Sequence, residues 1–375
     1  MRKRILRISC IALCSLLTLL VIVTGSINIV RASTKNKEDF SFLEDDAKKV
    51  ILFIGDGMGQ NHIANTELYL DKDLFFTSFS KQGFVNTYSK NTYWPTDSAA
   101  AATAMATGQK VYNTHVGASF GIPITSITEI AKEAGLGVGI VTTDTLAGAT
   151  PAGFSAHASK RSATEEIIAT QLEHSIDLYL GAGLETYTEY QTDFETKGYQ
   201  FITDYRSLVK TSEKVFGTFT EVKNYEAEEA NPTLPYLTEY AINYFEDNYP
   251  NGYFLMIEGA HIDKSNHSNN IMNMIKYMDE FDNSIELAYN MLIDDIDVCF
   301  IITADHESGD LGLAENVDEI TDELYGSTDH TAKDVYYFIY QKDNEDLMQI
   351  PEQIDNTDIF DISSKLLNIK ENKIA

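Results

Sequence analysis

The sequence predicts an α/β protein built around a central, mostly parallel sheet covered by helices on both faces. Short, continuously apolar segments alternate along the chain with longer amphipathic segments. Continuous apolar strands are typical of parallel sheets, which are buried on both faces. Polar residues also collect where several of these segments end, and open α/β sheets place their ligand sites at that edge.

The elements follow one another regularly after residue 48. The predicted strands are VILFIG from Val50, GVGIVTTD from Gly137, IDLYLGAG from Ile176, GYFLMIEGA from Gly252, DVCFIITADH from Asp297 and VYYFIYQ from Val335. The amphipathic or alanine-rich segments 60–70, 99–108, 126–135, 162–174, 234–249 and 273–293 fit crossover helices. No repeat or linker divides residues 49–375, so we expect one domain, with the polar stretch 185–231 as a small peripheral insertion.

Composition excludes several classes of protein. A chain of 375 residues with 43% apolar and 11% aromatic residues buries a large core and is not expected to be disordered. Its 57 acidic and 28 basic residues give a formal net charge of -29, which repels a nucleic-acid backbone, so no nucleic-acid partner is expected. The cysteines Cys10, Cys14 and Cys299 provide neither a disulfide framework nor a cysteine-based zinc site.

The N-terminal segment 1–32 has the layout of a secretory signal peptide. It begins MRKRILR, continues with an apolar run over 8–30 and ends with Val30, Arg31 and Ala32 before the polar segment 33–48. The run is also long enough to span a bilayer, so an uncleaved signal anchor stays an alternative. In either case we expect a protein that is secreted or held at the cell envelope on the extracellular side.

Two short polar motifs contain candidate functional residues. One lies among glycines and the other lies at the start of a predicted helix. Asp56 lies in IGDGMG, where Gln60 excludes a dinucleotide fingerprint, and Asp56 either carries chemistry or caps the following helix. Ser98 precedes AAAATAMATG and therefore lies at or near a helix N-terminus, where backbone N–H groups stabilise an alkoxide or a phosphate. An N-cap serine without catalytic duty is the alternative for Ser98, and the G-x-S-x-G pattern of hydrolase triads is absent around it.

Two further clusters follow predicted strands and are rich in metal ligands. Glu258, Asp263 and His267 lie in EGAHIDKSNH, and Asp305 and His306 lie in TADHE. Carboxylate and imidazole side chains suit zinc or magnesium, and carboxylates at this density repel one another without cations. A single such residue would fit a solvated loop, but five of them at strand ends indicate a metal site.

Together these clusters resemble the alkaline phosphatase family. The resemblance covers about 50–338, with the family's motifs in order: VILFIGDGMGQ, PTDSAAAATAMATGQKVYNTHVG, VTTDTLAGATPAGFSAHASKR, IEGAHIDKSNH, ITADHESG and DHTAKDVYYF. It implies an alkaline phosphatase-like catalytic domain and a phosphomonoester hydrolase that acts on small-molecule phosphate monoesters through a phosphoserine intermediate. It also implies two zinc ions and one magnesium ion as cofactors.

The resemblance assigns a role to each matching residue. Ser98 would be the nucleophile, Arg161 would grip two phosphate oxygens, and Lys264 would hold phosphate through water. One zinc would be bound by Asp263, His267 and His330, the other by Asp56, Asp305 and His306, and magnesium by Asp56, Thr150 and Glu258.

Two positions depart from the family pattern. Gly148 stands where many members carry Asp or His, so we expect Lys264 to lack its usual acidic neighbour and magnesium to bind less well. The interval between His306 and His330 is too short for the subdomain that larger members carry at their dimer interface, so monomer and dimer both stay open. A phosphodiesterase of the same superfamily, or a catalytically silent metal- or phosphate-binding envelope protein, is the alternative function.

Overall fold

A ten-stranded sheet forms the centre of the protein. The computed structural model describes residues 38–43, 47–91, 94–223 and 231–369, and from Phe40 onward these belong to one compact unit. The strands in chain order are β1 (Lys49–Gly55), β2 (Lys81–Asn86), β3 (Ala118–Ser119), β4 (Ile122–Pro123), β5 (Gly137–Thr145), β6 (Leu178–Ala182), β7 (Tyr199–Ile202), β8 (Lys214–Phe219), β9 (Tyr253–Gly259), β10 (Val298–Thr303), β11 (Glu307–Ser308), β12 (His330–Thr331), β13 (Val335–Gln341) and β14 (Gln353–Asp355).

The sheet is mostly parallel, as predicted. Its strand order is β14-β2-β13-β10-β1-β9-β5-β6-β8-β7, and only β13 runs antiparallel to its neighbours β10 and β2. The four remaining strands form two small antiparallel pairs, β3 with β4 and β11 with β12. Every residue of β9 and β10 is buried, because the centre of a parallel sheet is covered on both faces.

Two groups of helices cover the sheet. The helices are α1 (Gln60–Leu70), α2 (Ser98–Thr107), α3 (Ile127–Glu133), α4 (Ala149–Ser155), α5 (Thr164–Glu173), α6 (Leu184–Tyr187), α7 (Gln191–Thr196), α8 (Leu234–Asn248), α9 (His261–His267), α10 (Ile271–Leu292) and α11 (Asp358–Leu366). Helices α1, α8, α9 and α10 pack together as one group, and α2, α3, α4, α5 and α11 as the other. Both groups contact β5.

Sequence patterning explains the two kinds of helix. In α10 the buried Met274, Met278, Phe281 and Ile285 recur every three or four residues, which places them on one face. In contrast, all residues of α2 are buried, and its alanines let the helix lie inside the protein.

The interpretation of 185–231 as a peripheral insertion is wrong. Among its described residues this stretch supplies β7 and β8, which complete one edge of the central sheet. Polar residues dominate the stretch because an edge strand and its short helices are covered on fewer sides than a central strand.

The predicted leader lies outside the described residues. In the described part of the segment 33–48, Phe40 and Leu43 are buried in the hydrophobic core, although most residues of the segment are polar. Among the described residues, none of the helices has the length and apolar character needed to cross a membrane.

Candidate active site

The polar clusters meet at the carboxyl ends of three adjacent strands. Ile54 on β1 lies opposite Glu258 on β9 and Thr303 on β10. Asp56 and Asp305 each follow two residues after this level, so parallel pairing brings their carboxylates to the same edge.

Gly57 makes room for acidic side chains at this edge of the sheet. Its φ of 70° lies in the left-handed region, and a Cβ atom there would lie 2.8 Å from Asp263 Oδ1 and 2.9 Å from Ser308 Oγ. With only a hydrogen in that place, the Gly57 N–H donates to Asp305 Oδ1 at 3.0 Å. The glycine therefore lets the acidic side chains approach the end of β1.

An inner cluster consists of Asp56, Asp305 and His306, all buried. His306 Nε2 lies 3.1 Å from Asp305 Oδ2 and 3.6 Å from Asp56 Oδ1. The other ring nitrogen, Nδ1, lies 3.2 Å from Ser308 Oγ, so Nε2 is the atom that faces the carboxylates.

Burial and mutual repulsion dominate the electrostatics of the inner cluster. Burial, together with the neighbouring Asp305, raises the pKa of Asp56 well above its usual range. Burial likewise raises the pKa of Asp305 to about 6, and it lowers the pKa of His306 well below the usual histidine value. These side chains form a compact anionic site that a cation would stabilise.

An outer cluster consists of Asp263, His267 and His330. Asp263 and His267 are four residues apart on α9 and therefore share a helix face. His267 Nε2 lies 3.2 Å from both Asp263 Oδ2 and His330 Nε2. The ring of His330 stacks on that of His306 at a centroid distance of 3.6 Å, so the two clusters adjoin.

The imidazoles of the outer cluster are oriented by carbonyl groups. Nδ1 of His267 donates to Thr328 O at 2.5 Å, and Nδ1 of His330 donates to Thr96 O at 2.8 Å. A proton fixed on Nδ1 leaves the Nε2 lone pair for another ligand, which is the arrangement of metal-binding histidines.

Ser98 lies beside the inner cluster. It is the first residue of α2, and the N-cap is Asp97, whose side chain accepts a hydrogen bond from the Ala100 N–H at 3.0 Å. The N-cap alternative for Ser98 is therefore wrong. Its hydroxyl is left for other contacts, and Oγ lies 3.3 Å from His306 Nε2.

Arg161 approaches the same helix start through Asp97. Its Nη1 donates to Asp97 Oδ2 at 3.2 Å, and its backbone N–H donates to Thr114 O at 2.7 Å. Asp97 thus caps α2 and orients the guanidinium next to Ser98. Its position directly before an alanine-rich helix is a capping signal that sequence analysis could have used.

Glu258 and Thr150 form a further group of buried oxygen-bearing side chains, and the charge of Glu258 acts on Asp56 of the inner cluster. Glu258 is buried and accepts a hydrogen bond from the Thr142 hydroxyl. Burial, followed by the nearby charge of Asp144, raises the pKa of Glu258 to about 8. Thr150 Oγ1, on α4, is buried and has no hydrogen-bond partner among the described residues.

The expectation that Lys264 lacks an acidic neighbour is wrong. Lys264 forms an ion pair with Asp144, at the end of β5. A Cβ atom at Gly148 would lie 2.7 Å from Asp144 Oδ2, so the Asp144 carboxylate fills the space beside Gly148. The acidic partner comes from a different element, and sequence position alone does not show that Asp144 reaches Lys264.

Comparisons with known proteins agree with this geometry. Alkaline phosphatase 3 of Bacillus subtilis (strain 168) is 30% identical to the chain over 323 residues, covering 80% of this chain and 68% of the relative. The alkaline phosphatase of Escherichia coli (strain K12) is 30% identical over 340 residues and 71% of each chain.

Solved structures of alkaline phosphatases also match the chain. The alkaline phosphatase of the Antarctic bacterium TAB5 superimposes with a TM-score of 0.76 at 29% identity, covering 87% of this chain and 99% of that chain. A mutant of that enzyme with Mg bound in its M3 site matches at the same TM-score and 28% identity, over 88% of this chain and all of the other. A family model for alkaline phosphatase matches residues 47–364, and the chain belongs to the alkaline phosphatase family.

Proposed function

We propose that this phosphatase hydrolyses phosphate monoesters through a phosphoserine at Ser98, with two zinc ions and one magnesium ion as cofactors. The observation that carries the proposal is the position of Ser98 at the start of α2, where Oγ lies 3.3 Å from His306 Nε2. The nucleophile is thus next to the inner cluster and, through the stacked rings of His306 and His330, near the outer one.

The residues fit three cations. Asp56 Oδ1, Asp305 Oδ2 and Thr150 Oγ1 are buried without a hydrogen-bond partner among the described residues, and a bound cation would coordinate such an oxygen instead. Nitrogen and carboxylate donors suit zinc, and an all-oxygen set suits magnesium. The proposed ligands are Asp263, His267 and His330 for one zinc, Asp56, Asp305 and His306 for the other, and Asp56, Thr150 and Glu258 for magnesium.

Ser98 performs two displacements at phosphorus. When bound, the ions supply positive charge that polarises the phosphoryl group and lowers the pKa of a nearby hydroxyl. Ser98 Oγ forms a bond to phosphorus, the bond from phosphorus to the ester oxygen breaks, and the hydroxyl proton leaves with that oxygen as the alcohol. A water oxygen then bonds to phosphorus, the bond to Oγ breaks, and Ser98 regains its proton as phosphate is released. The first-turn N–H groups of α2 stabilise negative charge at this point.

Two cationic side chains position the substrate. Arg161 presents a planar fork that matches two phosphate oxygens, and Asp97 fixes its orientation. Lys264 is held by Asp144 and contributes through water. Both are partly exposed positive charges beside a site that is otherwise acidic.

The test is hydrolysis of an aryl phosphate monoester at mildly alkaline pH by the purified chain. Assays with zinc plus magnesium are compared with assays in chelator, and the matching diester is run in parallel. We expect chelator-sensitive turnover of the monoester. Turnover of the diester alone would favour the phosphodiesterase alternative, and metal uptake without turnover of either ester would favour a silent binding protein.

A second experiment tests the intermediate. Acid quenching during turnover of a labelled monoester should trap label on the peptide that contains Ser98. The Ser98→Ala variant should retain its metal content but trap no label. Label on another residue would remove Ser98 from the mechanism.

We also propose that the enzyme is exported, with residues 1–32 acting as signal peptide or anchor. The basic start, apolar run and Val-Arg-Ala end of that segment support this proposal. The mass of the N-terminal peptide, measured on protein recovered from medium and from membranes of expressing cells, separates cleavage after Ala32 from retention. Full-length chain found only in the cytosol would contradict export.

A further inference from the structure

A third cluster of metal-ligand side chains lies outside the active-site residues described above. It consists of Glu129, His157 and His174, with one ligand atom of each within 4.8 Å of the others. Glu129 is in the first turn of α3, His157 follows α4, and His174 ends α5, so the cluster joins three elements. Their side chains are 12–29% exposed, which leaves the cluster accessible to solvent.

The carboxylate of Glu129 is held in a fixed orientation. Oε2 accepts hydrogen bonds from the Ser126 N–H at 2.7 Å and from the Ser126 hydroxyl at 2.9 Å, which forms a capping box at the start of α3. Oε1 faces the two imidazoles, 3.2 Å from His157 Nε2 and 3.6 Å from His174 Nε2. One oxygen therefore stabilises the helix and the other is directed into the cluster.

The ring of His157 is oriented in the same way as the histidines of the outer cluster. Its Nδ1 lies 2.6 Å from Gly117 O, and because a carbonyl only accepts, Nδ1 carries the proton. The lone pair of a neutral His157 then lies on Nε2, toward Glu129. A backbone carbonyl that fixes the Nδ1 proton is a recurrent partner of metal-binding histidine.

The two distances from Glu129 Oε1 to the imidazoles match those expected around a tetrahedral ion, and all three ligand atoms lie within 4.8 Å of one another. With zinc about 2.05 Å from nitrogen and oxygen donors, two donors of a tetrahedron are about 3.3 Å apart. The observed separations of 3.2 and 3.6 Å lie on either side of that value. Two imidazoles and one carboxylate are also a ligand set that zinc binds, with water in the fourth position.

We propose that Glu129, His157 and His174 bind a zinc ion. The ion would link α3, α5 and the segment 156–163. Because this segment also carries Arg161, the ion would stabilise the position of Arg161. It is separate from the active-site ions, and the proposal does not depend on the mechanism at Ser98. The competing explanation is a metal-free ion pair between protonated His157 and Glu129.

Metal content of the full-length protein distinguishes the two explanations. The chain is stripped with chelator, reloaded with zinc, and analysed for bound zinc together with the His174→Gln and Glu129→Gln variants. The matched control is His115→Gln, because His115 packs on Tyr112 and Phe120 and lies outside the cluster. We expect the two cluster variants to bind one zinc ion fewer per chain than the wild type and the control.

A second readout excludes a loss of folding. In Glu129→Gln the amide oxygen still accepts from Ser126, so the capping box and the fold are retained even where His174→Gln is unstable. Zinc titration should raise the melting temperature of this variant less than that of the control. The zinc affinity of the cluster of Glu129, His157 and His174 should fall at least about 10-fold. Equal zinc content and equal zinc-dependent stabilisation in both cluster variants and the control would overturn the proposal.

Discussion

The Asp144 carboxylate lies beside Gly148, so an acidic residue introduced at position 148 should be repelled by it. The Gly148→Asp substitution introduces one of the two side chains, Asp or His, that the resemblance to the family leads us to expect at this position. In this protein the new Cβ atom would lie 2.7 Å from Asp144 Oδ2 and 2.8 Å from the backbone oxygen of Thr145. The substitution therefore has a steric cost, from Cβ, and an electrostatic cost, from a second carboxylate beside Asp144.

The electrostatic cost follows from Coulomb's law. Two carboxylates about 4 Å apart repel by about 4 kcal/mol at an effective dielectric constant of about 20. This value is an upper bound, because Lys264 already pairs with Asp144 and offsets part of the repulsion. Gly148→Ala adds the same Cβ without charge, so the difference between the Asp and Ala variants isolates the electrostatic part.

The assay is urea unfolding of the four variants in chelator at mildly alkaline pH. Gly148→Asp should be less stable than Gly148→Ala by up to about 4 kcal/mol when Asp144 is present. In an Asp144→Asn background, which retains the shape but not the charge, this gap should close. Added magnesium should narrow the gap in the Asp144 background, because a cation neutralises both carboxylates. An equal gap in both backgrounds would refute the assignment of Asp144 as the local acid.

Three other predictions follow from single residues. Ser98→Ala should reduce turnover at least about 1,000-fold with unchanged metal content, as measured by steady-state kinetics and metal analysis. His330→Ala should lose one zinc ion and most of its turnover together. A normal zinc content in this variant would contradict the assignment of His330 as a zinc ligand. Burial raises the pKa of Glu280 from 4.5 to about 7, so the folded state retains this proton longer and wild-type stability falls as pH rises through that window. Glu280→Gln, which still accepts from the Leu234 N–H, should therefore gain up to about 3 kcal/mol relative to wild type between pH 4.5 and 8 in urea unfolding, and a constant difference would contradict this.

The centre of the fold could be predicted because central strands are patterned by burial alone. The runs at Val50, Gly252 and Asp297 are apolar on both faces, and the structure places them side by side as β1, β9 and β10. The antiparallel direction of β13 could not be predicted, because an apolar run such as VYYFIYQ is buried equally well in either direction.

The edges of the sheet were not predicted. Strand β2, with the sequence KQGFVN, alternates between buried residues and residues that are exposed or partly buried. It includes a buried lysine, Lys81, whose ammonium donates to the Ile350 carbonyl. Strands β7 and β8 lie in a polar stretch. Such segments become strands because a neighbouring strand offers hydrogen bonds, which is a tertiary effect that local composition does not report.

The clusters at strand ends pointed to the acidic and histidine side chains near Asp56, Asp263 and Asp305, whereas Thr150 and His330 were assigned only by the resemblance to the family. The acidic partners of the two basic side chains were not predicted. Asp97 reaches Arg161 across 64 positions, and Asp144 reaches Lys264 across 120. These contacts depend on how β5, α2 and α9 meet in space.

The two pairs have a consequence for how the site attracts an anion. Six acidic side chains, of Asp56, Asp97, Asp144, Glu258, Asp263 and Asp305, lie at a site with two basic side chains, and each basic side chain is paired with an acid. In a protein with a formal charge of -29, such a site repels phosphate. In the proposed mechanism Arg161 and Lys264 would therefore orient the substrate rather than attract it, and the attraction would come from bound cations. The acid pairs fix the geometry of the two basic side chains and leave the charge of the site under the control of metal occupancy.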